Sequence, residues 1–205
     1  MELLLIKNGR SEKDANLDSS LDSFLSTRGI AGVCLSFYEL SKRFNFDNYK
    51  GYCSPYYRTC QTASLFNNLC KTKFKVDKNL CNFILDNKDS VYIRNHSLIF
   101  QNLNWFDFDN EFVFSVESLD EFLSRCENFY QGLQDGEKYV IVSHSSVVKV
   151  MFFLSTGQSK EQIKEEYLKK PEMFQKMTDN SFYWIVDGEP KWNEKVLKRE
   201  STTAI

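Results

Sequence analysis

The chain has 205 residues (24.1 kDa), with 26 Lys and Arg against 28 Asp and Glu for a net charge of −2, and only two histidines. That length fits one domain able to bury about two-thirds of its unfolded surface, so folding needs neither disulfides nor metal. Near-neutral charge argues against a nucleic-acid or anionic-membrane binder, 42% hydrophobic and 26% charged content exclude a disordered chain, and two histidines exclude a His-rich metal site.

Glu2–Lys7 is a short apolar run that reads as a buried strand, followed by an Asn8-Gly9 turn and a polar stretch to Asp18. From Ser20 to Phe44 apolar residues recur at helical spacing (Leu21, Phe24, Leu25, Val33, Leu35, Phe37, Leu40), with Ser19 or Ser20 as N-cap. A second strand ends at Tyr52–Ser54, and Pro55 opens a helix to about Cys70 from a first-turn position. Residues 72–116, rich in Asn, Asp and Phe, read as an irregular excursion or lid. Glu117–Leu133 is an amphipathic helix, Tyr139–Ser143 a strand covered on both faces, and Ser145–Thr156 a helix closed by Gly157. Ser159–Lys170 is a polar surface helix with i,i+4 charge pairs, and Ser181–Val186 and Lys191–Leu197 form two strands about Asp187-Gly188. Strands alternating with helices imply an α/β sandwich around a mostly parallel sheet. One domain is expected over residues 1–200, with the insertion at about 72–116 and a loose tail at 201–205.

The longest apolar stretches, Met1–Ile6 and Val150–Leu154, fall far short of the ~20 residues a membrane helix needs, and Met1–Lys7 lacks the features of a signal peptide. The six cysteines (Cys34, Cys53, Cys60, Cys70, Cys81, Cys126) include no CxxC pair and read as small buried apolar residues of a reducing compartment, cytoplasm or nucleus. No cofactor or metal is expected.

Three strand ends carry chemistry-bearing residues: Lys7-Asn8-Gly9-Arg10-Ser11, then Ser54-Pro55-Tyr56-Tyr57-Arg58-Thr59-Cys60-Gln61-Thr62-Ala63, then Ser143-His144-Ser145-Ser146. In such sheets ligands sit beyond the carboxyl ends of the strands, where helix N-termini favour anions. Lys7, Arg10, Arg58 and His144 would together hold a compact dianion such as phosphate or sulfate, Arg58 through its planar fork.

At these residues the chain resembles the histidine phosphatase superfamily, whose pattern is Arg-His-Gly-x-Ser/Thr after the first strand, Ser-Pro-x-x-Arg-x-x-Gln-Thr-Ala after the second, and Ser-His-Gly-like residues after a later one. Asp18–Gly29, Glu117-Ser118 with Arg125, and Asn180-Ser181 are similar to further family segments. The resemblance implies a phosphoglycerate mutase-like α/β fold, a three-layer sandwich with a mostly parallel central sheet flanked by helices. It makes Arg58 and His144 the phosphate-clamping arginine and second histidine. It also exposes departures. The family's first-motif histidine attacks phosphorus, and that position here is Asn8. The arginine before it is Lys7, which keeps the charge without bidentate geometry. The proton-donating glutamate aligns with Asn82 in Leu80-Cys81-Asn82, and an amide is no general acid. Asp86 and Asp89 lie near enough to substitute.

The expectation is therefore an inactive, pseudophosphatase-like protein-binding or scaffolding module within a larger assembly. The alternatives are a divergent phosphomonoesterase using His144 and Arg58, and a sensor of a phosphate ligand. His96 reads as a loop histidine. Asn104–Phe114 is aromatic and acidic, so Trp105, Phe106 and Phe108 are expected either to plug the core or to anchor a partner protein.

Overall fold

A computed structural model describes residues 1–17, 20, 22–84, 91–94, 98–104, 111–114, 116–175, 177–178 and 181–194, with 91–94, 111–114, 175 and 192–194 as backbone. The strands are β1 Glu2–Lys7, β2 Tyr49–Cys53, β3 Phe74–Val76, β4 Val91–Arg94, β5 Leu103–Asn104, β6 Glu111–Phe114, β7 Lys138–Ser143, β8 Phe182–Val186 and β9 Glu189–Glu194. The helices are α1 Thr27–Ser41, α2 Tyr57–Cys70, α3 Leu119–Gln131, α4 Ser145–Ser155, α5 Lys160–Lys169 and α6 Pro171–Gln175.

The main sheet runs β5-β3-β2-β7-β1-β8-β9, with β1, β2, β3, β5 and β7 parallel and the β8–β9 hairpin antiparallel at one edge. Both sheet faces are covered, and strand alternation sorts the side chains between them. Leu4, Ile6, Val140 and Val142 face α1 and α2, packing against Val33, Phe37, Ala63 and Phe66. Leu3, Leu5, Tyr139 and Ile141 face the other way, toward Phe122 and Cys126 of α3, Met151 of α4, Ile163 of α5 and Phe174 of α6. Helix, sheet and helix make three layers. The register pairs Lys7 with Ser143 and Cys53 with Val142, so β1, β2 and β7 end side by side.

Three expected boundaries move. The helix expected from Ser20 begins at Thr27: Ser26 is the N-cap, its Oγ accepting from the Gly29 amide at 3.1 Å. Leu25 instead bridges to Ser11, and the Ser26 amide and hydroxyl both donate to the Arg10 carbonyl. Gly29 belongs in that contact, since a Cβ there would lie 2.1 Å from the Arg10 oxygen. Ser19 lies outside the described residues. Pro55 stands one residue before the α2 N-cap, Tyr56, rather than inside the first turn. The span 72–116 is more regular than its composition implies: β3 and β5 extend the main sheet, while β4 and β6 pair as an antiparallel ribbon. These strands have two to four residues, too short for a periodicity to register. α6 was not foreseen.

α3 starts at a capping box, Ser118 with Glu121, and α5 at another, Ser159 with Gln162. All six cysteines are free; five are buried and Cys34 is half-buried. Burial pushes the Cys70 thiol up to about 11 and that of Cys126 to about 12, so both stay protonated near neutral pH. Among the described residues no helix is long and apolar enough to cross a membrane.

Candidate functional site

The carboxyl ends of β1, β2 and β7 bring together Lys7 and Asn8, Ser54 to Arg58, and His144. The Asn8 amide donates to the Ser143 carbonyl (2.9 Å) and the Ser54 amide to that of Val142 (3.1 Å), so the ladder continues one residue into the site. Lys7, Asn8, Ser54 and His144 are all buried.

His144 has both ring nitrogens engaged. Nη2 of Arg58 lies 3.1 Å from Nδ1, and Oγ of Ser54 lies 3.0 Å from Nε2. A guanidinium only donates, so Nδ1 is the acceptor and the proton is assigned to Nε2, which donates to Ser54. Burial, reinforced by the charges of Arg58, Lys7 and Arg125, holds the imidazole well below its usual range, hence neutral. This tautomer places no basic nitrogen against the Ser54 hydroxyl. The Tyr56 ring meets His144 edge-on (centroids 4.6 Å, 70°) and carries the Arg58 guanidinium over its face at 4.6 Å. The Tyr56 hydroxyl is buried with no hydrogen-bond partner among the described residues.

Asn8 occupies the strand end where the resemblance places a nucleophile. Its Nδ2 donates to the Gly9 carbonyl at 2.8 Å. The Gly9 amide in turn donates to Oγ1 of Thr62, which donates to the Arg58 carbonyl, tying the first loop to α2. Arg10 donates to the Asp14 carbonyl at 3.3 Å, a contact within its own loop. Asp14 is one of two acids in this region: burial opposes its charge, but the Ser11 hydroxyl and amide, with Lys7 and Arg58 nearby, hold its carboxyl below the usual range. The Asp22 carboxylate accepts from the Tyr57 amide at 2.5 Å, so an acid already sits on the first amide of α2.

Asn82 reaches the same site from the other side. Its Oδ1 accepts from Oγ of Ser146 at 3.0 Å, two residues beyond His144. Its backbone is held by Arg125, which donates to the Asn79 carbonyl (2.6 Å), the Asn82 carbonyl (3.3 Å) and both oxygens of Glu117 (2.8 and 2.5 Å). The Ser143 hydroxyl adds a bond to the Leu80 carbonyl at 2.8 Å.

The structure thus gathers Lys7, Asn8, Arg58, His144 and Asn82 and keeps Arg10 in its loop. Asp86, Asp89, His96, Trp105, Phe106 and Phe108 lie outside the described residues. Ser54 and Tyr56 are the site residues not singled out from sequence; their signal was adjacency, since both lie within four positions of Arg58. Asp14 carried none, being one acid in a polar loop. Among the described residues no group of three His, Cys, Asp or Glu side chains is placed to hold a metal ion.

Comparison with known proteins assigns the class. The family model of the histidine phosphatase superfamily, branch 1, matches residues 3–181. The chain belongs to that superfamily. No relative matches among curated protein sequences. Among solved structures it is similar to a mycobacterial glucosyl-3-phosphoglycerate phosphatase with VO3 bound, at 15% identity and TM-score 0.63, covering 95% of this chain and 99% of that one. It is also similar to a phosphoserine phosphatase from Entamoeba histolytica with 3-phosphoglyceric acid, at 13% identity and TM-score 0.61 over 95% and 98% of the two chains. A third likeness is to the alpha-ribazole phosphatase of Shigella flexneri, at 18% identity and TM-score 0.59, covering 91% and 90%. At these identities the likeness is one of fold.

Proposed function

We propose that this chain is a catalytically inactive member of its superfamily, a pseudophosphatase that serves as a protein-binding or scaffolding module in a larger assembly. The observation that carries the reading is Asn8 just beyond the end of β1, where its backbone amide bonds to the Ser143 carbonyl beside His144. Its amide nitrogen lone pair is delocalised into the carbonyl and its N–H is spent on Gly9, so it has no electron pair for phosphorus. Loss of an enzyme's nucleophile costs about six orders of magnitude in the best-measured protease case.

Among the described residues the neighbouring groups give no replacement. His144 offers one nitrogen to Arg58 and the other to Ser54, and Asn82 stands beside Ser146 where a proton donor is wanted. Lys7 and Arg58 keep the pocket cationic, so phosphate or sulfate is the small ligand it would hold without turnover. The partner surface is assigned to the aromatic segment of Trp105, Phe106 and Phe108, whose residue types anchor interface hot spots.

The test is a reversion. Wild-type protein is expected to give no hydrolysis of p-nitrophenyl phosphate above background, whereas Asn8→His combined with Lys7→Arg and Asn82→Glu restores measurable turnover. Wild-type turnover that disappears in Arg58→Ala would overturn the reading.

A further inference from the structure

The outer side of α1 is apolar where the solvent-facing side of a helix is ordinarily polar. Gly29, Val33, Ser36, Phe37 and Leu40 are its buried residues. On the opposite side Ala31, Leu35 and Tyr38 follow one another at spacings of four and three residues, and all are exposed, Leu35 to 62% and Tyr38 to 56%. Cys34 lies beside them, half-buried. Single exposed apolar residues are ordinary, but a run of them along one side of a helix marks a contact surface.

The charges beside the run define what fits it. Arg28, at its start, is exposed and makes no ion pair among the described residues. Glu39, at its far end, gives Oε1 to Nζ of Lys42 at 2.7 Å, while its Oε2 accepts no hydrogen bond among the described residues. Lys42 also covers the Tyr38 ring at 4.1 Å. Glu39 is 33% exposed, so its carboxylate can take a second cation. Arg28 and Glu39 are eleven residues apart, three turns of helix, and therefore lie on the same flank of the apolar run. A cation at one end and an acid at the other, on one flank, complement a copy of the same helix turned end for end.

We propose that α1 pairs with α1 of a second copy of this chain, antiparallel about a two-fold axis beside Cys34. Each residue then faces one about equally far beyond the axis. Ala31, three positions before Cys34, faces the partner's Tyr38, four positions after it, so a small side chain makes room for a ring. The two Leu35 side chains meet each other at the axis. Arg28 reaches the partner's Glu39 on the shared flank, and symmetry makes that pair twice. The helix has 15 residues and so spans about 22 Å. A contact of that length buries less than the roughly 800 Å² per partner of a standard interface, and the dimer is correspondingly weak, with a Kd of about 10 μM to 1 mM. No residue of the His144 pocket takes part, so the pairing stands or falls independently of the pseudophosphatase reading.

The experiment is sedimentation velocity on the intact, reduced chain from about 10 μM to 1 mM, where a monomer–dimer equilibrium is expected. Leu35→Glu, at an exposed position, is expected to weaken dimerisation at least about tenfold, because it sets two like charges against each other at the axis. Arg28→Glu is expected to weaken it about threefold or more by placing an acid against the partner's Glu39, and adding Glu39→Arg to that variant restores the pair and the dimer. The proposal is overturned if the chain remains monomeric at about 1 mM. It is equally overturned if a dimer forms that Leu35→Glu does not weaken, or if the charge-swapped double variant associates no better than Arg28→Glu alone.

Discussion

The two ends of the sheet each carry charged groups under aromatic rings, yet they solve the burial of charge in opposite ways. Where the strands finish, a half-buried guanidinium is the centre: Arg58 lies over Tyr56 and donates to His144, whose imidazole is kept neutral by burial and by that same cation. Where they begin, a carboxylate is the centre, and Glu2 is ringed by an indole, a phenol and an ammonium. One end sets its cation against a neutral ring, with the Asp14 and Asp22 carboxylates acting on it. The other matches its central carboxylate with Lys138 and with donors from two aromatic side chains. The lesson is that the charges of Arg58 and Glu2 are held by structural partners among their own neighbours, whatever either end binds.

The sharpest break in this comparison comes at Arg125. Arg125→Ala removes a bidentate pair whose side chains are only 13% and 11% exposed and frees the carbonyls that hold Asn82 beside the pocket. A loss of about 3–5 kcal/mol in chemical denaturation is expected, because Glu117 is left buried and unpaired.

Glu2→Gln tests the opposite end and should cost about 1–3 kcal/mol near neutral pH. Burial opposes the Glu2 charge, but bonds from Tyr49, Lys138 and Trp184 outweigh it and hold the carboxyl below its usual range. The folded value lies below the unfolded one of about 4.3, so this stabilisation is present above that pH and is lost as pH falls through the folded value. The variant should lack that part of the acid loss in a series of melts, and an unchanged acid limb would count against the assignment.

The smallest effect is expected at His144. Its folded pKa lies well below the ordinary 6.5, so its contribution is complete above 6.5 and declines as pH falls below it, when the unfolded chain takes up a proton the folded one refuses. The slope reaches at most about 1.4 kcal/mol per pH unit. NMR should find the His144 ring neutral below pH 6.5, and His144→Gln should flatten stability there. A ring that titrates near 6.5 would mean that Arg58 is not its partner.

Much of this was legible in the chain. Glu2–Lys7 and Tyr139–Ser143 are apolar runs that could only be covered strands, and Ser54–Ala63 carried the helix start and its arginine together. Where sequence misled, long-range contact had overridden local pattern. Leu21, Phe24 and Leu25 continue a helical spacing, yet the Arg10 carbonyl claims the Ser26 amide and hydroxyl and stops the helix there. β3 and β5 are too short to show an alternation and exist because β2 offers them an edge. The Glu2 cluster was invisible for a different reason: its members come from positions 2, 49, 138 and 184, joined only by the register of the sheet.

Gly29, set against the Arg10 carbonyl, reaches beyond the placement of one helix. With Gly9 bonded to Thr62, Ser11 bridged to Leu25 and Ser26 bonded to Arg10, the first loop is stitched to α1 and α2 at several points before any ligand arrives. An anion entering beside Arg58 meets a receptor with little conformational entropy left to lose in that loop. Its calorimetric signature should therefore be that of a rigid body, with a small heat-capacity change and no trace of coupled folding.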